Sequence, residues 1–154
     1  MVDIELKPLF QLRAATGNGS IHVGALPIGY QRRVVFVTGG TFEGDRLKGK
    51  VIPGGGDFLM MRPDGGMHLD VRLVLETDQG ETIYLTYIGR RHGSPEVMER
   101  YKRNEAVDYG EDYFRTIVQF ETAAPRLEWL NGILGIGAGW RTLEGAVYDI
   151  FEIA

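Results

Sequence analysis

The chain has 154 residues, a formal net charge of −4 and no cysteine. Its length suits one domain over residues 1–154 with a substantial core, and its acidic balance opposes sequence-independent binding to nucleic acid. The lack of cysteine excludes disulfides, a thiol nucleophile and cysteine-ligated metals. Glycine is the outlier, since 22 glycines are roughly twice the usual share of about 7% and suit the turns and bulges of an all-β barrel or sandwich.

No stretch of the sequence is apolar over the length that a bilayer-spanning segment needs. The residues Met1–Glu5 also lack the charged leader and apolar run of a signal peptide. We therefore expect a cytoplasmic protein that has no membrane partner.

Strands dominate the first part of the chain. Residues 4–16 predict an opening strand with an edge or bulge position at Pro8, because proline cannot donate to a β-ladder, and Gly17–Gly19 is expected to turn the chain. Val34–Val37 is rich in β-branched residues and predicts the next strand. We interpret the glycines of Thr38–Gly44 as a bulged bend and not a phosphate-binding loop, since the residues that follow are too few for the helix such a loop requires.

The stretch Val51–Gly80 predicts a hairpin of two strands joined by a turn at Pro63–Gly66. From Met67 to Asp78, polar and aliphatic side chains alternate and therefore lie on opposite faces of the second strand. The polar face carries His68, Asp70 and Arg72, and the apolar face carries Leu69, Val71 and Leu73.

The second half of the chain predicts further strands and one helix. Ser94 is a suitable N-cap for a helix that begins with Pro95 and ends near Asn104, and the residues around Trp129 suit one helical turn. The remaining strands are expected over Glu81–Arg91, Tyr113–Thr122, Ile133–Trp140 and Ala146–Ile153. Because the connections are of hairpin length, we expect an all-β fold: a single closed antiparallel β-barrel of about nine or ten strands with one short helix.

One candidate acid/base site lies on the central hairpin. Asp70 and Arg72 share a strand face, and Asp57 on the preceding strand could join them across the hairpin. A carboxyl group in an apolar barrel has a raised pKa and can act as general acid or base, while arginine stabilises a developing oxyanion. The alternative is a structural ion pair that fixes strand register. A lumen-facing Asp70 requires the opposite apolar face to be covered by the helix or a second subunit.

Aromatic and cationic side chains are the candidates for binding a small-molecule ligand, because such pockets combine apolar walls with a few polar groups. They are Tyr84, Tyr113, Arg115, Trp129 and His68. Core packing or surface exposure is the alternative explanation for each of them. The three histidines lack the spacing of a metal site, so we expect no metal, and no serine has the setting of a hydrolase nucleophile.

Taken together, several short stretches resemble a known family, the domain of unknown function 3237, also called uncharacterised protein family 0311. The matching stretches span most of the chain in order: Val37–Gly44, Pro53–Asp57, Leu69–Arg72, Thr77–Asp78, Ile83–Tyr84, Gly89–Arg90, Tyr113–Thr116, Phe120–Thr122 and Trp129–Asn131. The chain departs from the family's pattern at several positions, among them Tyr87, where asparagine is often seen. If these positions belong to a pocket, its ligand differs from that of other members.

The resemblance implies a β-barrel similar to the lipocalin-related (calycin-like) folds, often self-associated, with a lumen or mouth that could hold a small molecule. Some members resemble cofactor-free tailoring enzymes that cyclise aromatic polyketide-type substrates. The leading hypothesis is therefore a cofactor-independent acid/base enzyme, of cyclase or isomerase type, acting on an aromatic or phenolic metabolite. The alternatives are a carrier or sensor that does not transform its ligand and an assembly module without a pocket. A homo-oligomer is expected in each case.

Overall fold

The structure is a computed structural model that describes residues 1–154 apart from the side chain of Asn18, and over that range eight antiparallel strands close into a barrel. Each strand pairs with the next in sequence, and the last pairs back with the first, which confirms the all-β antiparallel barrel. The strands are β1 (Leu6–Ala25), β2 (Gln31–Glu43), β3 (Lys48–Met61), β4 (Met67–Thr77), β5 (Thr82–His92), β6 (Tyr113–Glu121), β7 (Gly135–Arg141) and β8 (Gly145–Ile153).

The expected count of nine or ten strands is too high because β1 does not end at Gly17–Gly19. The strand continues through these residues to Ala25, and register shifts between Ala15 and Ser20 accommodate the glycines. A further register shift lies between Pro8 and Phe10, as expected for a proline in a strand. The first strand is therefore one long bulged strand that pairs with both of its neighbours.

The glycines after Val37 allow two strands to cross closely, which confirms the bulged bend. Gly40 has φ +138°, and a Cβ atom placed there would lie 1.9 Å from the carbonyl oxygen of Arg13 on β1. The pairing of β2 with β3 shifts register between Phe36 and Thr41. A side chain at position 40 is therefore excluded by the neighbouring backbone.

The barrel interior is filled by one face of each strand, and on β4 this is the aliphatic face. Leu69, Val71 and Leu73 are buried, whereas Arg72 between them is exposed. On β7 the inward positions are glycines, and a Cβ atom on Gly139 would lie 2.8 Å from the Phe114 ring. The alternating glycines thus let β7 approach large side chains of β6, as the sequence pattern indicates.

The two ends of the barrel are closed by different elements. At one end a 3-10 helix, Pro125–Gly132, contributes the buried Leu127 and Leu130. At the other end α1 (Pro95–Lys102) contributes the buried Met98, and the backbone amide of Val97 donates to the Ser94 side chain as predicted for an N-cap. In the described part of the chain no helix has the length and apolar character needed to cross a membrane.

Candidate functional site

The polar face of β4 lies outside the barrel, so the predicted lumen position of Asp70 and Arg72 is wrong. The physical reason is the alternation itself, because the aliphatic face of the strand takes the interior. The two side chains form an ion pair of 3.1 Å and are 49% and 51% exposed. Together with Tyr84 they line an open depression of about 330 Å³ on the outer surface.

The other ligand-binding candidates lie at separate places. Tyr113 and Arg115 are on the outer face of β6, with the guanidinium 5.4 Å from the tyrosine ring centre. His68 is on the outer face of β4, where partial burial, and then the charges of Arg90 and Arg62, lower its pKa. The ring of Trp129, in the 3-10 helix, lies beneath the guanidinium of Arg46 at 3.8 Å. The structure does not bring these residues together in one cavity.

Asp57 differs from the other candidates because its side chain points into the barrel. It alternates with the fully buried Leu59 on β3, and its Oδ1 atom accepts a hydrogen bond of 3.1 Å from the backbone amide of Asp70. Burial is the largest influence on this carboxyl and raises its pKa from 3.8 to about 7. The Asp70 charge raises the pKa further, while the Asp70 amide and Arg33 lower it. Asp57 therefore titrates near neutral pH.

Two buried tyrosines lie near Asp57 in the barrel interior. The hydroxyl of Tyr87 donates to the hydroxyl of Tyr148 at 2.9 Å, and both side chains are buried. Burial raises the pKa of both phenols, and the nearby Asp57 charge raises both further. The pair therefore keeps its protons at neutral pH and supplies hydroxyl groups next to the carboxyl.

A cavity of about 280 Å³ opens at the end of the barrel that carries α1, and we call it the mouth cavity. Val35, one of its wall residues, is paired directly with Asp57 in the β2–β3 register. Paired side chains lie about 5 Å apart, so the Asp57 carboxyl lies next to the wall. The cavity is lined by Thr16, Gly17, Gly19, Ser20, His22, Arg33, Val35, Tyr101, Lys102, Asn104, Arg141 and Leu143.

The wall of the mouth cavity carries positive charge and hydrogen-bonding groups. Arg33 Nε donates to Ser20 Oγ at 3.1 Å, and Ser20 Oγ is hydrogen-bonded to His22 Nε2 at 3.1 Å. Across the cavity Arg141 Nη2 donates to Asn104 Oδ1 at 3.3 Å. The partners of both arginines are neutral, so their charges stay available to a negatively charged ligand.

A buried ion pair supports the α1 side of the cavity. Arg91 Nε donates to Asp112 Oδ2 at 2.5 Å, and the two side chains are 2% and 0% exposed. The Arg91 guanidinium lies 4.2 Å from the centre of the Tyr101 ring and 4.5 Å from that of Phe114. These contacts hold the Tyr101 ring, which forms part of the wall, in a fixed place.

Sequence reasoning missed the two arginines of the mouth cavity. Arg33 follows Arg32 in a pair of basic residues that is typical of surface charge, yet it alternates with Val35 and Val37 and so belongs to the inner face of β2. Arg141 likewise continues the inward alternation of the β7 glycines. Each arginine lies at a position that alternates regularly with the inward-facing residues of its strand, and this spacing is the signal that could have identified both residues.

No group of three or more His, Cys, Asp or Glu side chains is placed to hold a metal ion in the part of the chain that the structure describes. The wall of the mouth cavity carries two arginines and the hydroxyl groups of Thr16, Ser20 and Tyr101, and the Asp57 carboxyl lies next to this wall. These groups transfer protons and bind anions.

A closed antiparallel barrel with a polar cavity at one end and an apolar plug at the other belongs to the class of up-and-down β-barrels. Within this class the chain belongs to the family described as "Protein of unknown function (DUF3237)", whose model matches residues 4–153. This match confirms the family resemblance of the sequence.

Curated relatives are found in bacteria. A UPF0311 protein of Rhodopseudomonas palustris is 33% identical over 154 residues, which is 97% of each chain. A UPF0311 protein of Clostridium acetobutylicum is 33% identical over 139 residues, covering 90% of this chain and 88% of the relative. The relatives therefore match this chain over nearly their whole length.

Solved structures show the same barrel. The crystal structure of a conserved protein of unknown function from R. palustris has a TM-score of 0.94 at 32% identity, with full coverage of both chains. A beta-barrel like protein from Acinetobacter baumannii has a TM-score of 0.87 at 34% identity, with 100% and 98% coverage. A structure described as an enzyme from Penicillium herquei shares the fold at 20% identity, with a TM-score of 0.71 and 99% and 94% coverage.

Proposed function

We propose that this protein is a cofactor-independent acid/base enzyme, of cyclase or isomerase type, acting on a small aromatic or phenolic metabolite in the mouth cavity. The observation that carries the proposal is Asp57, a carboxyl group inside the barrel whose pKa is raised to about 7. General acids and bases are most effective when their pKa lies near the working pH. Asp57 is thus suited to take a proton and return it in the same reaction.

The chemistry of the proposed reaction needs only proton transfer. Asp57 as carboxylate removes a proton from a phenolic or enolic oxygen of the ligand, and the anion so formed closes a ring or shifts a double bond. The protonated carboxyl then returns the proton to carbon, so that the product is an isomer of the substrate. Arg33, whose charge reaches Asp57 and which lines the cavity, stabilises the anion in between.

A carrier or sensor is the second candidate, and one observation favours it. Asp57 lies beside Val35, its partner across the β2–β3 ladder, and is not itself among the side chains that form the cavity wall. If the carboxyl stays out of the cavity when the ligand is bound, the protein binds the metabolite and does not transform it. Turnover by the wild-type protein distinguishes the two candidates.

The test begins with identification of the ligand by native mass spectrometry of protein purified from its own host. With that metabolite, Asp57→Asn is expected to lower turnover by about 10²- to 10⁴-fold while affinity changes little. Asp70→Asn, on the outer surface of the next strand, is the matched control and should change turnover far less, because the Asp70 charge contributes less than burial to the raised pKa of Asp57. Binding without turnover by the wild-type protein would contradict the enzyme proposal in favour of a carrier. A cytoplasmic location stays a prediction.

A further inference from the structure

The wall of the mouth cavity carries positive charge that no acidic side chain in the wall balances. The inference drawn from this charge rests on the proposed function and names the class of its ligand. We infer that the cavity binds its ligand through a carboxylate group held by Arg33 and Arg141. The ligand class is therefore an aromatic or phenolic carboxylic acid, with the carboxylate held between Arg141 and Arg33 and the reacting oxygen on the Arg33 side next to Asp57, so that Arg33 also faces the anion formed there.

The first observation is that neither arginine has an acidic partner among the side chains that the structure describes. Arg33 contacts a serine hydroxyl and Arg141 an asparagine amide oxygen. Most other arginines of the chain form ion pairs with carboxylates, namely Arg46, Arg62, Arg72, Arg91, Arg100, Arg103 and Arg126. Arg13, Arg32, Arg90 and Arg115 also lack an ion pair among the described residues, but only Arg33 and Arg141 line the mouth cavity.

The second observation is the burial of Arg141. Its Nε atom is buried and has no hydrogen-bond partner among the described residues. Burial, followed by the charges of Arg91 and Arg33, lowers the pKa of Arg141. A buried charged group with an unused donor is unfavourable, and an anion bound to the side of the guanidinium that faces the cavity would offset the cost of holding this charge in the wall.

The third observation concerns the rest of the wall. Lys102 also lines the cavity, where its charge is paired with Glu99 at 2.7 Å, and no Asp or Glu lies among the described wall residues. Val35, Leu143 and the Tyr101 ring supply apolar surface beside these charges. A volume of about 280 Å³ lies near the lower end of the range for small-molecule sites, roughly 300–1,000 Å³. The cavity therefore suits a small ligand with an apolar body and one anionic group.

A carboxylate is the anion that this arrangement favours. A guanidinium presents parallel N–H donors that match the two carboxylate oxygens. The ring of an aromatic acid would cover the apolar surface next to the arginines, whereas inorganic phosphate would leave that surface uncovered. The Asp57 charge, which reaches Arg33, would oppose an anionic ligand, so binding should weaken as Asp57 ionises.

Binding of benzoate, measured by isothermal titration calorimetry with benzamide and inorganic phosphate as comparison probes, tests the inference. We expect benzoate to bind at least about tenfold more tightly than benzamide and phosphate. Arg141→Met and Arg33→Gln should each weaken benzoate binding by about tenfold or more. Arg13→Met is the matched control, because this exposed arginine also lacks an acidic partner but lies on the outer surface. Thermal unfolding verifies that each variant is folded.

Several outcomes would overturn the inference: no benzoate binding, equal affinity for benzoate and benzamide, tighter binding of phosphate, or unchanged affinity in both arginine variants. The proposed function fails separately, because Asp57→Asn should keep benzoate binding whether or not Asp57 is catalytic. In the wild type, benzoate affinity should fall between about pH 6 and about pH 8, and Asp57→Asn should abolish this dependence. An equal pH dependence in both proteins would instead contradict the proposed function, because it would show that Asp57 does not titrate in this range.

Discussion

The two ends of the barrel are built from opposite kinds of residue. At the end plugged by the 3-10 helix, Phe10 packs edge-on against Phe42 and Phe120, with ring centres 5.4 and 6.2 Å apart. At the α1 end the interior holds Asp57, two hydrogen-bonded tyrosines and a cavity with two arginines. One end therefore supplies stability through the burial of apolar side chains, whereas the other end accepts buried polar groups where a ligand can reach them.

The same contrast separates two aspartates of one hairpin. Asp57 and Asp70 lie on adjacent strands and are linked by a hydrogen bond, yet the first points into the barrel and the second points outwards. Burial raises the pKa of Asp57 to about 7, whereas Asp70 forms an exposed ion pair with Arg72. The two residues therefore serve as test and control for each other.

Removal of an aromatic ring at the apolar end should have the largest effect on stability. Phe120→Ala is expected to lower the free energy of unfolding by about 3–5 kcal/mol, because a buried phenylalanine leaves a cavity. Leu143→Ala at the rim of the mouth should cost less than about 0.5 kcal/mol, since Leu143 is 76% exposed. Urea denaturation measures both. An equal loss in the free energy of unfolding for Phe120→Ala and Leu143→Ala would contradict the view that the apolar end supplies more of the stability than the mouth.

Removal of the buried acid beneath Tyr101 should have the next largest effect. Asp112→Ala leaves the Arg91 charge buried without a partner and should cost about 3 kcal/mol. Asp70→Ala breaks an exposed pair and should cost less than about 1 kcal/mol. Both values come from urea denaturation at neutral pH. A loss for Asp112→Ala as small as that for Asp70→Ala would show that the buried pair does not stabilise the α1 end.

The raised pKa of Asp57 gives stability a definite dependence on pH. The folded protein holds this proton up to about pH 7, whereas the unfolded chain loses it near the ordinary value of about 4. The contribution of Asp57 to stability should therefore fall as the pH rises from about 4 to about 7 and level off above it. At about pH 8, Asp57→Asn should be more stable than the wild type by on the order of 2 kcal/mol.

The control for this pH dependence is Asp70→Asn. Because the Asp70 side chain is about half exposed and its charge contributes less than burial to the raised pKa of Asp57, its replacement should change the slope of stability against pH far less than Asp57→Asn does. Urea denaturation at about pH 5 and about pH 8 measures all three proteins. An Asp57→Asn variant with the wild-type slope would contradict the assignment.

Self-association stays a prediction, and the outer face of β5 and β6 is where it can be tested. Ile88 and Ile117 are paired across these strands and are 54% and 50% exposed, next to the depression that holds Asp70 and Arg72. In a two-fold dimer the aspartate of one copy could pair with the arginine of the other. Light scattering should show an oligomer for the wild type and a monomer for Ile88→Glu, with stability changed by less than about 0.5 kcal/mol.

A matched replacement at another exposed position keeps this test specific. Ile21→Glu, at a residue of β1 that is 54% exposed, should leave the oligomer intact. A monomeric wild type would contradict the prediction of self-association. An oligomer that persists in Ile88→Glu would contradict its placement on the outer face of β5 and β6.

The sequence predicts the barrel well because alternation and turn chemistry are local. The turn at Pro63–Gly66, the Ser94 cap and the inward glycines of β7 can all be interpreted from neighbouring residues. The strand count is too high because a strand that bends through glycines has the same local pattern as a strand that ends there. Bulges are settled by the partner strand, which lies far away in sequence.

The candidate site was predicted less well than the fold. Asp57 was among the candidates, but it was grouped with Asp70 and Arg72, whose face lies outside. Burial of apolar side chains decides which face of a strand points into the barrel. On β4 this burial places the face with the charged side chains outside. Arg33 and Arg141 meet only because β2 and β7 close around the same mouth. A sequence shows which side chains of a strand share a face, but it does not show which strand ends lie opposite each other across a barrel.

The titration of Asp57 tests the central claim most directly. The carboxyl carbon shifts of the aspartates, followed by NMR in protein labelled with 13C at these carbons, give the midpoint for each group, and Asp57→Asn identifies the Asp57 signal. We predict a midpoint at about pH 7 for Asp57. A midpoint near the ordinary value of about 4 would contradict the claim that the barrel mouth holds a carboxyl poised for proton transfer.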